Sequence, residues 1–413
     1  MEKCKEKKLT PEIRFKGFTN AWEQRRLGEI VSLFGGNAFS SNDATNEGAL
    51  WLKIANVGIG CLQWDIKSYL PTNFLVDYST FTLNKGDYVM ALTRPILNRE
   101  MKIAQITSND ILLNQRVAKL DFSEEADFGF QLLRRKEIID KIDSELSGTD
   151  PPNLSSSTLD NIDTFIPNEK EQIAIGSLFQ TLDDTITLHK RKLDGLKKLK
   201  KAYLQQMFPQ TGEHVPRLRF TGFTEDWMER TINSIAGSTH GGGTPSTING
   251  TYWNGDIPWL QSSDITEHNI IDLNLRKHIT NDGLNNSATK LIPANSIAIV
   301  TRVGVGKLSV VPFDFTTSQD FLSLSNLDVA TWFGAYALYT KLQKEAYSVQ
   351  GTSIKGITKD ELLNRIISVP RLEKEQISIG NFFYMFDKQI ATQESKLNQL
   401  KKLKVAYLQK MFV

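Results

Sequence analysis

Apolar residues follow a helical period over two long stretches of the chain. In Glu169–Phe208 they recur every three or four residues, with Pro167 before the stretch and Pro209 after it. Proline near both boundaries and none in the interior predict one uninterrupted helix. At 1.5 Å per residue, a helix of about 39 residues is roughly 58 Å long. Its single narrow apolar stripe predicts a partner helix along the whole length.

A second stretch, Glu373–Phe412, repeats the first at a constant offset of 204 residues (397 − 193). The repeat predicts an intramolecular coiled coil; the alternative is that each helix packs separately on its own globular domain. The predicted interface residues are Leu193, Leu196, Leu199, Tyr203 and Met207 in the first helix and Leu397, Leu400, Leu403, Tyr407 and Met411 in the second.

The segments that lead into the two halves are also copies. Pro11–Ile30 recurs as Pro216–Ile235 at an offset of 205 residues (216 − 11), so the chain is a tandem duplication. We expect the shared aromatic residues, such as Trp22 and Trp227, to pack each leading segment against its domain. The predicted order is a flexible tail (1–10), a first domain (11–166), a long helix (167–210), a second domain (211–369) and a second long helix (370–413).

The two domains are predicted to contain both strands and helices. Short β-branched runs such as Ile297–Thr301 and Val117–Leu120, separated by Gly and Asn turns, predict strands. Phe128–Glu145 and Trp332–Tyr347 have the periodicity of amphipathic helices. The predicted fold class is therefore α+β, with two mixed α/β domains joined by two long helices.

The copies agree closely in the helices and only locally in the domains. The local matches are Trp51-Leu52 with Trp259-Leu260, Gly86–Arg94 with Ala294–Arg302, and Gln115 with Gln319. A device that reads two different short targets at a fixed separation explains this pattern, whereas an ordinary enzyme gives no reason for it.

Composition indicates an ordinary globular protein. The 413 residues include 49 Lys and Arg against 47 Asp and Glu, so the net charge of +2 does not by itself indicate nucleic-acid binding. Two cysteines, Cys4 and Cys61, are too few for a disulfide framework. The chain contains no apolar run long enough to span a membrane, and its start lacks the apolar core of a signal peptide. We expect a cytoplasmic protein without a membrane partner.

Motifs for catalysis are incomplete. Asp150–Asn153 resembles the D-P-P-Y motif of amino-methyltransferases, but Asn153 replaces the stacking aromatic residue and no glycine-rich cofactor loop precedes it. Val303–Lys307 lacks the spacing of a phosphate-binding loop and predicts a strand turn, and Gly241–Ser246 predicts a flexible surface loop. The five histidines show no ligand spacing, so no metal site is predicted.

Basic, amide and serine side chains in the domain loops are the candidates for DNA contact, because they match phosphates and base edges. The candidates are Arg94, Arg99, Lys102, Gln115 and Arg116 in the first domain and Ser262, Arg302, Lys307, Ser318 and Gln319 in the second. The recurrence of Arg94 as Arg302 and of Gln115 as Gln319 strengthens those pairs. The charge run His189–Lys192, with Lys197, Lys198, Lys200 and Lys201, predicts a solvated or protein-contact face of the coiled coil, with phosphate binding as the alternative.

Several motifs together resemble the specificity subunit of type I restriction-modification systems. They are the two E-K-E-Q-I helix openings, the paired K-L-x-x-L-K-K-L-K and A-Y-L-Q-x-M-F segments, and G-G-T-P-S followed by Y-W-x-G-D-I-P-W-L. The resemblance covers essentially the whole chain. The first domain departs from it in having Gly35-Gly36-Asn37 in place of G-G-T-P-S.

The resemblance implies two target-recognition domains, 11–166 and 211–369, held in inverted orientation by antiparallel helices. Each would read one half of a bipartite site in double-stranded DNA. The helices would bind two modification subunits, which methylate adenine with S-adenosylmethionine, and two restriction subunits would join and use ATP and Mg²⁺. The chain itself would be non-catalytic and would hold no cofactor.

The length of the helices adds an expectation about the DNA site. An arm of roughly 58 Å would hold two readers about 1–1.5 duplex turns apart, which predicts an unread spacer of about 5–8 base pairs. The rival hypothesis is a coiled-coil adaptor with twin protein- or glycan-binding domains. A nucleotide-dependent enzyme would need a complete motif at Val303–Lys307 or at the Asp150 loop.

Overall fold

Contacts group the chain of the computed structural model into two units, described over residues 9–146, 151–210, 212–348 and 356–413. The first unit contains the chain up to Leu188 together with Asn398–Val413, and the second unit is His189–Leu397. Each unit therefore combines one mixed domain with parts of both long helices. Most of the predicted tail, Asp150 and residues 352–355 lie outside the described residues.

The elements of the first half begin with a strand and end with the first long helix. Its strands are β1 (Glu23–Arg26), β2 (Val31–Gly35), β3 (Ala49–Leu52), β4 (Tyr69–Leu70), β5 (Thr82–Leu83), β6 (Tyr88–Ala91), β7 (Ile96–Leu97), β8 (Glu100–Met101), β9 (Ile103–Gln105), β10 (Ile111–Leu113), β11 (Val117–Phe122) and β12 (Asp163–Ile166). Its helices are α1 (Leu27–Ile30), α2 (Phe74–Asp77), α3 (Ala126–Leu132), α4 (Lys136–Leu146), α5 (Ser156–Asp160) and α6 (Glu169–Gln206).

The second half repeats most of this order. Its strands are β13 (Met228–Thr231), β14 (Ala236–Gly241), β15 (Trp253–Leu260), β16 (Lys277–Ile279), β17 (Ser296–Val300), β18 (Leu308–Val311), β19 (Thr316–Thr317), β20 (Phe321–Leu327) and β21 (Ile366–Val369). Its helices are α7 (Ile232–Ile235), α8 (Asn281–Asn285), α9 (Thr331–Ser348), α10 (Lys359–Leu363) and α11 (Glu373–Lys410).

One sheet in each domain is buried on both faces. In the first unit its strand order is β2-β11-β6-β9, and in the second β14-β20-β17-β18. Along β6, Met90 packs into one hydrophobic cluster and its neighbour Val89 into another. Burial on both faces explains why such strands are apolar runs without alternation. The predicted strands and the α+β class are confirmed.

Within each unit the two long helices run antiparallel. In the second unit, Lys197 Nζ lies 2.6 Å from Glu394 Oε1 and Lys200 Nζ lies 2.5 Å from Asp387 Oδ1, so residue numbers rise along α6 as they fall along α11. The prediction that the two helices pair within one chain is confirmed, and the alternative of separately packed helices is wrong.

The first unit contains the counterpart of the buried pair. Lys404 of α11 donates to Asp183 of α6. Lys404 is the repeat counterpart of Lys200, and Asp183 is the counterpart of Asp387, at the helix offset of 204 residues (404 − 200). Phe412 packs against Phe179 in the same unit. The C-terminal end of each long helix thus packs into a hydrophobic core that is built mainly from the domain of the other repeat.

The predicted helix-interface residues differ in burial, and equivalent residues of the two helices agree. Leu193 and Leu397 are buried, as are Met207 and Met411, and Leu196, Leu400, Tyr203 and Tyr407 are half-buried. Leu199 and Leu403 remain 44% and 41% exposed.

The E-K-E-Q opening of each long helix anchors the helix to its domain. Glu171 is fully buried and accepts hydrogen bonds of 2.6 and 2.7 Å from the Arg14 guanidinium. Gln172 Nε2 donates to Pro167 O at 3.0 Å, and its Oε1 accepts from Glu125 N at 3.2 Å. The second unit repeats these contacts with Glu375, Gln376, Arg219, Pro370 and Ala330.

The leading segments pack as the sequence predicts. Trp22 and Trp227 are buried in the main hydrophobic clusters of their units. Gly17 and Gly222 have φ of +103° and +94°, a left-handed conformation that favours glycine.

One helix prediction is wrong in its extent. Phe128–Glu145 is broken between α3 and α4, whereas α9 is continuous. At the break, Arg134 pairs with Asp183 at 2.9 Å and Arg135 Nη1 donates to Val413 O at 2.7 Å. In the backbone, Arg134 N donates to Gln131 O and Arg135 N donates to Leu132 O, so residues 133–135 form tight turns in place of a continuous α-helix.

Candidate nucleic-acid interface

Three loops of the first unit meet where β6 ends and β11 begins. Leu92 N donates to Arg116 O at 2.9 Å, and Gln115 N donates to Asn37 O at 3.0 Å. The side chains of Arg94, Gln115 and Arg116 are exposed there. We call Asn37, Arg94, Gln115 and Arg116 the first polar edge. Guanidinium and amide groups are suited to phosphates and base edges.

The second unit brings the corresponding loops together. Thr301 N donates to Asp320 O at 2.7 Å, and Thr244 Oγ1 lies 3.1 Å from Gln319 Oε1. Arg302, Val303 and Gln319 are exposed. We call Thr244, Arg302, Val303 and Gln319 the second polar edge.

Two glycines of the run beside the second polar edge are closely packed against other backbone, whereas Gly241 and Thr244 are exposed as a surface loop requires. A Cβ on Gly242 would overlap Ser318 O, and one on Gly243 would overlap the backbone of Thr289. Gly36 lies in the same way against Asn114 in the first unit. Glycine is required here because another backbone approaches closely.

The strand register corrects one predicted correspondence. Val117 lies opposite Ala91, and its counterpart Phe321 lies opposite Val300. Arg302 therefore takes the position of Thr93, and Arg94 takes the position of Val303. The shared Thr-Arg dipeptide gave a sequence match that is one residue out of register with the structure. Hydrogen bonds between the strands set the structural correspondence, and the identity of the loop residues does not. Gln115 and Gln319 do occupy equivalent positions.

Lys102 and Lys307 are structurally equivalent. Lys102 O accepts from Ala91 N at 3.0 Å, and Lys307 O accepts from Val300 N at 2.8 Å. Both side chains are half-buried. Lys102 Nζ donates to Ile54 O at 3.1 Å, and burial lowers the pKa of this amine. The Lys102 side chain thus stabilises the backbone at Ile54.

The other predicted contacts fall into two groups. Arg99 is exposed at the turn between β7 and β8, with φ of +62°. Ser262 is half-buried, and Ser318 is buried with its Oγ 3.3 Å from Asp320 Oδ2. DNA contact stays a prediction for all ten candidates, and six of them are exposed: Arg94, Arg99, Gln115, Arg116, Arg302 and Gln319.

The structure changes the interpretation of the charge run on α6. Lys200 was predicted on a solvated or protein-contact face and is instead buried, paired with Asp387. The sequence did contain a signal, since Lys200 and Asp387 both recur at the helix offset as Lys404 and Asp183. Polar residues repeated within an apolar stripe indicate a buried pair.

The described part of the Asp150 loop supports the first polar edge. Pro152 O accepts from Arg94 N at 2.8 Å, and Asn153 Oδ1 accepts from Thr93 Oγ1 at 3.0 Å. Within the described ranges, no group of three or more His, Cys, Asp or Glu residues is placed to hold a metal ion. None of the described helices has the length and apolar character needed to cross a membrane.

Residues 20–198 and 224–402 match the type I restriction modification DNA specificity domain. The chain belongs to this family. The two matches fall in the two halves of the chain, in agreement with the tandem repeat.

Individual relatives agree with the family match. The chain is 34% identical over 185 residues to the type I restriction enzyme MjaVIII specificity subunit of Methanocaldococcus jannaschii, a match covering 44% of each protein. It is 38% identical over 100 residues to the EcoAI specificity subunit of Escherichia coli, which covers 24% of this chain and 17% of the relative. The matched stretches thus span less than half the length of these relatives.

Solved structures share the fold. The S subunit of a type I restriction-modification system from M. genitalium has a TM-score of 0.68 at 14% identity, covering 98% of this chain and 99% of that one. A structure described as the basis of complex assembly and conformational transition of the type I R-M system has a TM-score of 0.50 at 20% identity, covering 95% and 97%.

Proposed function

We propose that this chain is the DNA-specificity subunit of a type I restriction-modification complex, in which each unit reads one half of a bipartite site. The main observation that supports this proposal is the pair of polar edges. Equivalent loops, held by equivalent backbone hydrogen bonds, present different side chains in the two units. A constant framework with variable exposed groups is what two independent readers of different sequences need. The family match and the names of the relatives support it.

The partners follow from the same proposal. Double-stranded DNA is the ligand of the polar edges, and two modification subunits bind the helices. In support, each unit exposes an isoleucine and a leucine at equivalent helix positions. They are Ile173 and Leu403 in the first unit and Ile377 and Leu199 in the second, each between 41% and 46% exposed. Equivalent exposed apolar residues in the two units favour two copies of one partner, and two restriction subunits complete the complex.

Catalysis is assigned to the partners. The chain would direct adenine methylation and restriction without an active site or cofactor of its own, and the partner subunits would use S-adenosylmethionine, ATP and Mg²⁺. The cytoplasm is the proposed location because the substrate is cellular DNA. We retain the unread spacer of about 5–8 base pairs as part of the proposal.

The test is a genome-wide map of N6-methyladenine, in cells with the modification subunit and either with or without this chain. A split motif that appears only when the chain is present supports the proposal. Identical maps, with the modification subunit shown to be active, would refute it and favour a coiled-coil adaptor with protein- or glycan-binding domains.

A further inference from the structure

One loop position carries an arginine in the first unit and an aliphatic residue in the second. Leu92 N donates to Arg116 O, and Thr301 N donates in the same way to Asp320 O. Leu92 and Thr301 each accept a further backbone bond, from Leu154 and Ile357 respectively. Arg94 follows Leu92 by two residues, and Val303 follows Thr301 by two residues. Arg94 and Val303 therefore occupy equivalent positions.

Val303 is held out into solvent by a tight turn. The turn joins β17 to β18 and is closed by hydrogen bonds from Val300 N to Lys307 O at 2.8 Å and from Gly306 N to Val300 O at 3.1 Å. Gly304 and Gly306 have φ of +87° and +88°, which favour glycine. Val303 is 72% exposed. This hydrogen-bonded turn therefore presents a largely exposed aliphatic side chain.

The neighbours of Val303 are groups suited to DNA. Arg302 precedes it, and its loop is bonded to the Ser318–Asp320 turn that carries exposed Gln319. In the first unit Arg94 stands in the corresponding surroundings, with Gln115 and Arg116 exposed on the adjoining turn. An aliphatic group among base-reading polar groups matches one feature of the major groove, the thymine C5-methyl group. An arginine matches the O6 and N7 acceptors of guanine.

We propose that this loop position determines specificity in both units: Val303 contacts a thymine methyl group in one half-site, and Arg94 contacts a guanine in the other. The proposal rests on the proposed function and assigns chemistry to one position of each reader.

The experiment measures binding of the assembled complex, this chain with its modification subunits, to duplexes that carry its own split site. Replacing one thymine at a time by uracil removes only the methyl group. We expect affinity to fall about fourfold at one thymine of the half-site read by the second unit. The Val303→Ala variant should be insensitive to that replacement. Because Val303 is exposed, this substitution should leave the fold intact.

Arg94 is tested with 7-deazaguanine, which lacks the N7 acceptor. We expect a loss of about fivefold or more at one guanine of the other half-site, and no such loss in the Arg94→Ala variant. Ile366→Ala is the matched control, since Ile366 is exposed, lies on β21 and belongs to neither polar edge, and both sensitivities should persist.

A half-site without a methyl-sensitive thymine, or a sensitivity that survives Val303→Ala, would overturn the assignment of Val303. A half-site without a guanine that is sensitive to 7-deazaguanine, or a sensitivity that survives Arg94→Ala, would overturn the assignment of Arg94. If the unaltered complex showed no preference for any split site, the proposed function itself would fail, so the two failures are distinguishable.

Discussion

Lys200 and Asp387 form a buried ion pair, with 2.5 Å between Nζ and Oδ1. Their side chains are only 7% and 2% exposed, and Tyr336 donates to the second carboxylate oxygen at 2.6 Å. Burial lowers the pKa of Lys200 and raises the pKa of Asp387, so each charge depends on the other. The pair joins the two long helices inside the second unit.

Removing one partner of this pair should be far more damaging than removing both. We expect Asp387→Ala to destabilise the second unit by about 3–5 kcal/mol, because Lys200 is left buried without a counter-ion. Adding Lys200→Met should restore much of the loss. Denaturant unfolding measures both. Glu394→Ala, at the exposed pair with Lys197, is the control and should cost about 0–1 kcal/mol. Equal losses for Asp387→Ala and Glu394→Ala would contradict the role of burial.

The corresponding carboxylate in the first unit should make stability depend on pH. Burial acts to raise the pKa of Asp183, but Arg134 and Lys404 outweigh it, and the pKa of this carboxyl lies below its usual range. A carboxylate with a lowered pKa stabilises the fold above its unfolded pKa and loses this contribution as pH falls through the folded pKa. The stability difference between the unaltered chain and Asp183→Asn should therefore shrink as the pH falls below about 4. A difference that persists in acid would rule out this linkage.

Two adjacent glycines should respond differently to alanine. Gly242→Ala places a methyl group against Ser318 O, whereas nothing lies within 4 Å of a Cβ on Gly241. We expect Gly242→Ala to destabilise the second unit by about 1–3 kcal/mol and to impair reading of one half-site. Gly241→Ala should change little. Thermal unfolding and methylation maps of both variants make the comparison, and similar behaviour would mean that close packing is not the reason for the glycine.

The exposed helix leucines test the predicted stoichiometry. Leu199→Glu places a charge on the apolar surface of the second unit only, so the complex should retain one modification subunit instead of two. Leu403→Glu should do the same through the first unit, and the double variant should bind neither. Light scattering of purified complexes gives the counts. Ile66→Glu, at a residue 79% exposed in the first domain, is the control and should retain both. If both single variants also kept two subunits, the leucines would not be the docking surface.

Exchange of one domain should change one half of the recognised site. Replacing residues 236–366 by the corresponding segment of another family member should alter one half of the methylated motif and preserve the other, because the polar edges belong to separate units. Methylation maps before and after the exchange provide the readout. A change in both halves would show that the units do not read independently.

The long helices and the duplication were predictable from sequence because they repeat over many residues. The apolar period, the flanking prolines and the constant offset define α6 and α11 to within two residues of their observed ends. The contacts of these helices with their domains were not predictable, because they depend on packing. Glu171 and Gln172 belong to a motif visible in the sequence, but their contacts with Arg14 and Glu125 depend on distant segments.

The geometry of the candidate site was less predictable than the exposure of its loop residues, and DNA contact itself stays a prediction. Gln115 and Gln319 were matched correctly, whereas Arg94 was paired with Arg302 and not with Val303, because register depends on hydrogen bonds across the sheet. In the sequence, Val303 is distinguished only as part of an incomplete phosphate-binding motif. An exposed valine has no sequence signal, since exposure is a property of the folded turn.

The exchange of helix ends has a consequence for the order in which the protein is made. The second unit, His189–Leu397, is continuous in sequence, so all of its residues are available once Leu397 has been synthesised. The first unit also needs Met411 and Phe412, and Phe412 packs against Trp22 and Phe128 in its core. Domains usually fold as they emerge, from the N-terminus onward. Here the core of the part translated first is completed only by residues translated after the whole of the other unit.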